Sequence, residues 1–316
     1  MRAILFDGQL RYCDQQHLRL PQDGEVIVDV LKAGICETDL QLCKGYMGFR
    51  GILGHEFAGI ARSGRYAGRR VVGEINCSCD VCDTCRRGLS THCPNRTVVG
   101  ILAHDGAFAD QVLIPEANLH LVPEQLSDAE AVFVEPVAAA CRIPQQIELR
   151  SSDVVTVLGD GRLGNLCSQV LRHHGCQVTV VGKHDFKLDL LRSLGIPAVR
   201  LSDLKRDRTS DIVVDCTGSP TGLPLALQLV RTCGTIVQKT TVAAETTMQM
   251  APIVIDEVRI VGSRCGPFDR AIELMAAGHV NVRSLISAEY ALSDGVSAFE
   301  HAIRKDALKV LLDIGR

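Results

Sequence analysis

The stretch that most narrows what this chain can become lies at its middle. Asp153-Val154-Val155-Thr156-Val157-Leu158 is a short apolar, β-branched run of the kind buried inside a sheet. Gly159-Asp160-Gly161-Arg162-Leu163-Gly164 follows directly, then a helical pattern from Asn165 to His174 and a second strand, Gln177-Val178-Thr179-Val180-Val181. Scattered glycines are common, but three at this spacing between a strand and a helix let the backbone turn tightly and approach a diphosphate at the positive end of that helix. The alternation continues through Asp211 to Gly218, a helix expected over 223–232, and strands at Gly234 to Gln238 and Val258 to Ser263. Strands interleaved with helices predict an α/β fold with a doubly wound parallel sheet.

The first third of the chain reads differently. Ala3 to Phe6, Glu25 to Ala33 and Gly68 to Gly73 are short strands, the second alternating with period two, which points to a β-rich domain. Gly34-Ile35-Cys36-Glu37-Thr38-Asp39 follows, with Thr38 and Asp39 able to cap a short helix, and Gly54-His55-Glu56 lies just beyond. A thiol, an imidazole and a carboxylate are ligands for a borderline metal such as zinc, although a buried Cys or a packed His taken singly is an ordinary core residue. Glu135-Pro136 opens an apolar helix, and its carboxylate suits a helix cap or a metal equally well.

Fourteen cysteines need explaining. The lobe from Asn76 to Pro94 carries Cys79-x2-Cys82-x2-Cys85-x7-Cys93 and little apolar material, so a tetrahedral ion held by four thiolates is the expected source of its order. Cys77 is spare, and His92 could replace Cys93, though the spacing favours the cysteine. A net charge of −3, a pI near 6.4 and the absence of a polybasic run argue against nucleic acid and anionic membranes as partners. No stretch reaches the roughly 18 apolar residues of a membrane span, and no secretory signal is visible, so the chain reads as cytoplasmic. Its 316 residues suit two domains. The last fifty, with a helix near Phe268 to Ala277, a strand near Ser287 to Leu292, a helix from Ser293 to Ile303 and a closing strand at Lys309 to Leu312, are expected to rejoin the first of them.

Taken together, Cys36-x-Thr38-Asp39, Gly54-His55-Glu56, the four-cysteine lobe, Glu135-Pro136, the Gly159 turn and the tail resemble the zinc-dependent medium-chain alcohol and polyol dehydrogenases over nearly the whole chain. The resemblance implies a GroES-like catalytic domain at 1–140 and 263–316, a Rossmann domain at 141–262, and a homodimer or homotetramer. It implies a catalytic zinc on Cys36 and His55, with Glu135 or Glu56 as the further ligand and the two carboxylates exchanging roles, and a structural zinc on Cys79, Cys82, Cys85 and Cys93. Thr38 resembles the hydroxyl that takes the alcohol proton, and Asp39 the group that orients His55. Where many relatives place a relay histidine this chain has Gln41, so proton release is expected to run through water near Glu56 or Glu135.

For the cofactor, Gly159, Gly161, Arg162, Leu163 and Gly164 are the pyrophosphate candidates, joined by Thr217 and, by resemblance, Lys309. The second strand ends Gly182-Lys183-His184 without the acid that usually binds a ribose 2′-hydroxyl, and Lys187 follows, so NADP is expected over NAD, with Asp185 as the one residue arguing otherwise. The implied activity is hydride transfer between a nicotinamide and an alcohol, polyol or carbonyl. Two other readings stand beside it: a non-catalytic nucleotide sensor, and an enzyme recruited to a biosynthetic reduction or cyclisation.

Overall fold

The computed structural model describes residues 1–241 and 247–315. The chain divides into two compact units, Met1–Glu135 with Val282–Arg316, and Pro136–Asn281. Among the described residues no helix is long and apolar enough to cross a membrane.

The first unit is built on the strand Glu25–Gly34, whose side chains alternate between buried and half-buried positions. Antiparallel to it run Glu56–Ala61, Gln111–Pro115 and the closing strand Lys309–Asp313, within a seven-stranded sheet. Gly34 sits opposite both Glu56 and Leu311, so the start of one neighbouring strand and the first residues of the other meet at this end of Glu25–Gly34. Cys36 lies two residues further on, as N-cap of the helix Glu37–Cys43. Register therefore gathers residues 36, 56 and 309 from three distant parts of the sequence. Phe108, Phe133, Ile114 and Leu119 form part of the fully buried interior behind them, each contributing about 1.5–3 kcal/mol through burial.

The second unit is a six-stranded parallel sheet in the order Ala198–Arg200, Gln177–Gly182, Val154–Leu158, Ser210–Asp215, Val230–Gln238, Arg259–Gly262. The chain starts in the middle and winds outward in both directions. The order reverses beside Val154–Leu158, the place where such sheets bind ligands at the carboxyl ends of their strands. Leu158, Val181, Val213, Val230 and Ile236 pack in one cluster against the helix Gly222–Leu227.

Four expectations are corrected by the structure. The helix expected over 223–232 stops at Leu227, and Val230 already belongs to a strand paired with Ser210. Apolar residues at 223, 226, 227 and 230 fit a helical stripe, but the sheet takes Val230. The return to the first unit comes at Val282 rather than 263. The helix Phe268–Ala276 stays with the second unit, and Asn281 exchanges two hydrogen bonds with Gln169 (2.7 and 2.9 Å) on the helix Arg162–His173. Only then does Arg283 pair with Glu130 (2.7 Å) in the first unit. Finally, Glu135 lies inside the first turn of the helix Val134–Cys141 rather than ahead of it, and the unit boundary falls at 135/136 rather than 140/141.

Candidate active site and metal centres

The four-cysteine lobe has no apolar interior to hold it: Val81 and Leu89 face solvent. What it has instead is sulfur. Sγ of Cys82 lies 3.5 Å from Cys85 and 3.8 Å from Cys93, and Cys93 lies 3.5 Å from Cys79. All four ligand atoms fall within 4.8 Å of one another. A tetrahedron with zinc–sulfur bonds of about 2.3 Å has edges of about 3.8 Å, so the lobe has the size of that ion's thiolate shell. These four sulfurs are too far apart for disulfides. Backbone N–H groups of Val81 and Cys82 point at Cys79 and pull its thiol down to about 6, which favours the thiolate a metal requires. Cys77 stays outside the group, with burial pushing its thiol up to about 11. His92 is outside it too, and Cys93 is the buried member.

The second cluster is Cys36, His55 and Glu56, again with ligand atoms within 4.8 Å. Asp39, fully buried, organises it. One carboxylate oxygen accepts the Cys36 N–H (2.8 Å), and the other accepts the Gly54 N–H (3.3 Å) and lies 3.3 Å from His55 Nδ1, in charge contact although not aligned for a full hydrogen bond. Gly54 has φ +98°, and a Cβ there would stand 2.3 Å from the Phe108 ring, so a glycine is needed to bring His55 round. Burial opposes charge on His55, but Asp39 and Cys36 outweigh it and hold the ring well above its ordinary pKa. The site thus favours positive charge among a thiol, an imidazole and a carboxylate, which suits a divalent cation.

Glu56 is buried and paired with Lys309, whose ammonium also donates to the Ile35 carbonyl (3.3 Å) and lies 5.6 Å from the Phe133 ring centre. This corrects the expectation that Lys309 serves a pyrophosphate: at 1% exposure its charge is committed to Glu56. The register of the closing strand beside Gly34 puts it there. Glu135 is not part of the gathered group. The Thr38 hydroxyl lies 3.8 Å from Cys36 Sγ, and Gln41 donates to Glu37 (2.6 Å).

In the second unit, Gly159 has φ +111° and a Cβ there would strike the Cys216 carbonyl at 2.6 Å, while a Cβ at Gly161 would meet nothing. Gly161 caps the twelve-residue helix Arg162–His173 without a side-chain bond, and its first turn carries no acid. A helix N-terminus beside an open glycine forms a cradle that fits a pyrophosphate. Arg162 and Leu163 are half-buried in that first turn, and Gly164 is buried. Thr217 donates its hydroxyl (2.7 Å) and N–H (2.9 Å) to Asp215, a fully buried carboxylate that also accepts from Thr240 and Gln238 and holds the ends of two strands together.

The expected basic turn is rearranged. Lys187 is buried, with its nitrogen 5.5 Å from the Phe186 ring centre, and Asp185 is taken by Arg200 in a two-point pair. The N–H groups of Lys183 (2.7 Å) and His184 (2.8 Å) both bind the carboxylate of Asp160, which the sequence analysis did not single out. An acid inside the glycine run, together with a glycine at the strand end, was the available signal.

Two family models match the chain: the alcohol dehydrogenase GroES-like domain over residues 22–124 and the zinc-binding dehydrogenase domain over 163–277. A sorbitol dehydrogenase from Halalkalibacterium halodurans is 29% identical, with 92% of each chain covered. A crystal structure from E. coli CFT073, described as a short chain alcohol dehydrogenase complexed with NADH, matches with a TM-score of 0.92 at 26% identity, covering 99% of both chains. A candidate zinc-binding dehydrogenase from Sinorhizobium meliloti 1021, bound to NADP, matches with a TM-score of 0.90 at 25% identity and the same coverage. With both domain models in their expected places and the two cysteine-bearing clusters assembled, the chain belongs to the zinc-dependent medium-chain dehydrogenase/reductase family.

Proposed function

We propose that this protein is a zinc-dependent dehydrogenase that moves a hydride between a nicotinamide and an alcohol or polyol, or its carbonyl. The observation that carries the reading is the convergence of half-buried Cys36 with buried His55 and Glu56 in one cluster, at the strand end where Gly34 pairs with Glu56. Cys36, His55 and Glu56 would hold a zinc ion that would supply Lewis acidity toward a hydroxyl or carbonyl oxygen, and a nicotinamide bound at the glycine turn would supply the hydride chemistry. The chain's own groups do the rest. Asp39 holds the Cys36 backbone and lies in charge contact with the His55 ring, and Lys309 holds Glu56 in its buried place. The Thr38 hydroxyl is the neighbour of Cys36 that takes the substrate proton. Gln41 cannot titrate near neutrality and is engaged by Glu37, so the proton leaves by water rather than along a histidine.

The lobe cysteines hold a second, structural zinc, so metal analysis is expected to give two zinc per chain. The accompanying test is a screen of alcohols, polyols, sugars and their carbonyls against NAD and NADP, read as reduced-nicotinamide absorbance. Turnover with the first cluster loaded supports the reading. Tight nucleotide binding with no turnover on any substrate class supports a sensor instead. Similarity to a protein named sorbitol dehydrogenase supports a polyhydroxylated substrate. Glu135 is the reserve ligand in this reading, taking the place of Glu56 when that carboxylate leaves the metal.

The oligomer implied by the family has a candidate surface in the second unit. Among the described residues, Arg259–Gly262 ends the parallel sheet, and Met250, Val254, Ile255 and Ile260 in and beside it are exposed, Ile255 by 76%. An open strand edge rimmed by large apolar side chains supports pairing with a second copy. Ile255→Asp is expected to halve the mass measured by light scattering, while a wild type already monomeric at working concentrations would remove this part of the proposal.

A further inference from the structure

We propose that Asp160 selects the cofactor, by supplying from within the glycine-rich turn the carboxylate that the neighbouring strand end lacks, and that it selects NAD. The inference rests on the dehydrogenase reading above and specifies its cofactor.

Gln177–Gly182 ends in glycine where a ribose-binding acid would be expected. A Cβ built on Gly182 would stand 2.5 Å from both Cβ and Oδ2 of Asp160. The space that a side chain at 182 would enter is therefore filled by a carboxylate reaching over from the other side of the turn. A side chain at 182 and the Asp160 carboxylate exclude each other.

That carboxylate is well held. Oδ2 accepts the N–H groups of Lys183 (2.7 Å) and His184 (2.8 Å), and the His184 ring nitrogen lies 3.1 Å away. Asp160 is 8% exposed, and among the described residues no Lys or Arg pairs with it. Two consequences follow for a dinucleotide bound at this turn. A ribose 2′-hydroxyl can donate to a carboxylate, whereas a 2′-phosphate brings like charge against it. The backbone donors at the strand end, which a 2′-phosphate would otherwise use, already face Asp160. The remaining basic groups do not restore the balance: Lys187 is buried beside Phe186, and Arg200 is paired with Asp185. Among the described residues that follow the strand end, the Lys183 side chain is the exposed lysine that could meet a phosphate.

The test is direct binding of NADH and NADPH, followed by nucleotide fluorescence, which no tryptophan obscures in this chain. Wild type is expected to bind NADH at least about tenfold more tightly than NADPH. Asp160→Asn keeps an acceptor for the two N–H groups and removes the charge, and is expected to shrink that ratio by about tenfold, mainly through tighter NADPH binding. The double variant Asp160→Gly with Gly182→Asp moves the acid to the strand end and is expected to restore the wild-type ratio. Thermal melts of each variant show whether it is folded. A wild type that prefers NADPH overturns the assignment, and so does an Asp160→Asn protein that weakens both nucleotides equally, because that pattern marks a purely structural anchor. If wild type binds neither nucleotide, the dehydrogenase reading itself fails and takes this inference with it.

Discussion

Replacing Cys36 with serine is expected to lower turnover by about a thousandfold while leaving the fold nearly intact. The thiol is one of three groups gathered at the candidate catalytic centre, and a serine hydroxyl is a poor zinc ligand at neutral pH. Lewis-acid stabilisation worth about 4 kcal/mol, lost with the ion, corresponds to that factor. Stability should change little, for a local reason. Cys36 is the N-cap of Glu37–Cys43, and the bond that orders this end is its own N–H to Asp39, which serine keeps. Serine is also a good cap residue. The variant should therefore melt within a few degrees of wild type and retain one zinc, the lobe's. If it keeps more than about a tenth of its turnover, or still carries two zinc, Cys36 is not the ligand that the geometry indicates.

Local pattern was enough for much of this molecule. The glycine turn announces itself because strand, turn and helix are contiguous, and the structure has Val154–Leu158, Gly159 to Gly161 and Arg162–His173 in that order. The four-cysteine lobe is equally local, since ligands three to eight residues apart need no long-range information to be suspected. The strand Glu25–Gly34 shows its period in its burial.

What escaped were contacts between residues far apart in sequence. Lys309 reads in sequence only as the start of the closing strand and, by resemblance, as a pyrophosphate group, and antiparallel pairing with Glu25–Gly34 places it on Glu56, 253 residues away. Asp160 reads as the variable position of a glycine motif, and its role depends on backbone N–H groups 23 and 24 residues on, just past a strand end. Lys187 counted as a phosphate ligand because composition says nothing about which face of a helix is buried. The late return at Val282 has the same origin, since the exchange of hydrogen bonds between Asn281 and Gln169 leaves no periodic trace. Periodicity reports an element's own burial; it does not report its neighbour.

The two cysteine clusters should also separate by what their loss does to the protein. Cys82→Ser is expected to destabilise the chain by about 4 kcal/mol, a fall of about 10 °C in melting temperature, with turnover of the folded fraction largely kept. Cys82 contacts two of the other three sulfurs and caps the short helix Asp83–Arg86, so removing it opens the tetrahedron at its centre. Serine again preserves the cap, which assigns any loss to the metal rather than to the helix end. With Val81 and Leu89 facing solvent, three remaining thiols have no apolar interior to fall back on. Protease cleavage within residues 79–93 should accordingly appear in the variant, and in wild type treated with a strong chelator, before the rest of the chain is cut. Cys77→Ser is the matched control, since it changes a half-buried thiol of the same lobe that stands outside the sulfur group, and should leave both zinc ions in place. The opposite pattern, in which Cys82→Ser abolishes turnover and leaves the melting temperature alone, would mean that the catalytic and structural ions have been exchanged. Unchanged zinc content and unchanged melting would mean that the lobe is held by something other than its sulfurs.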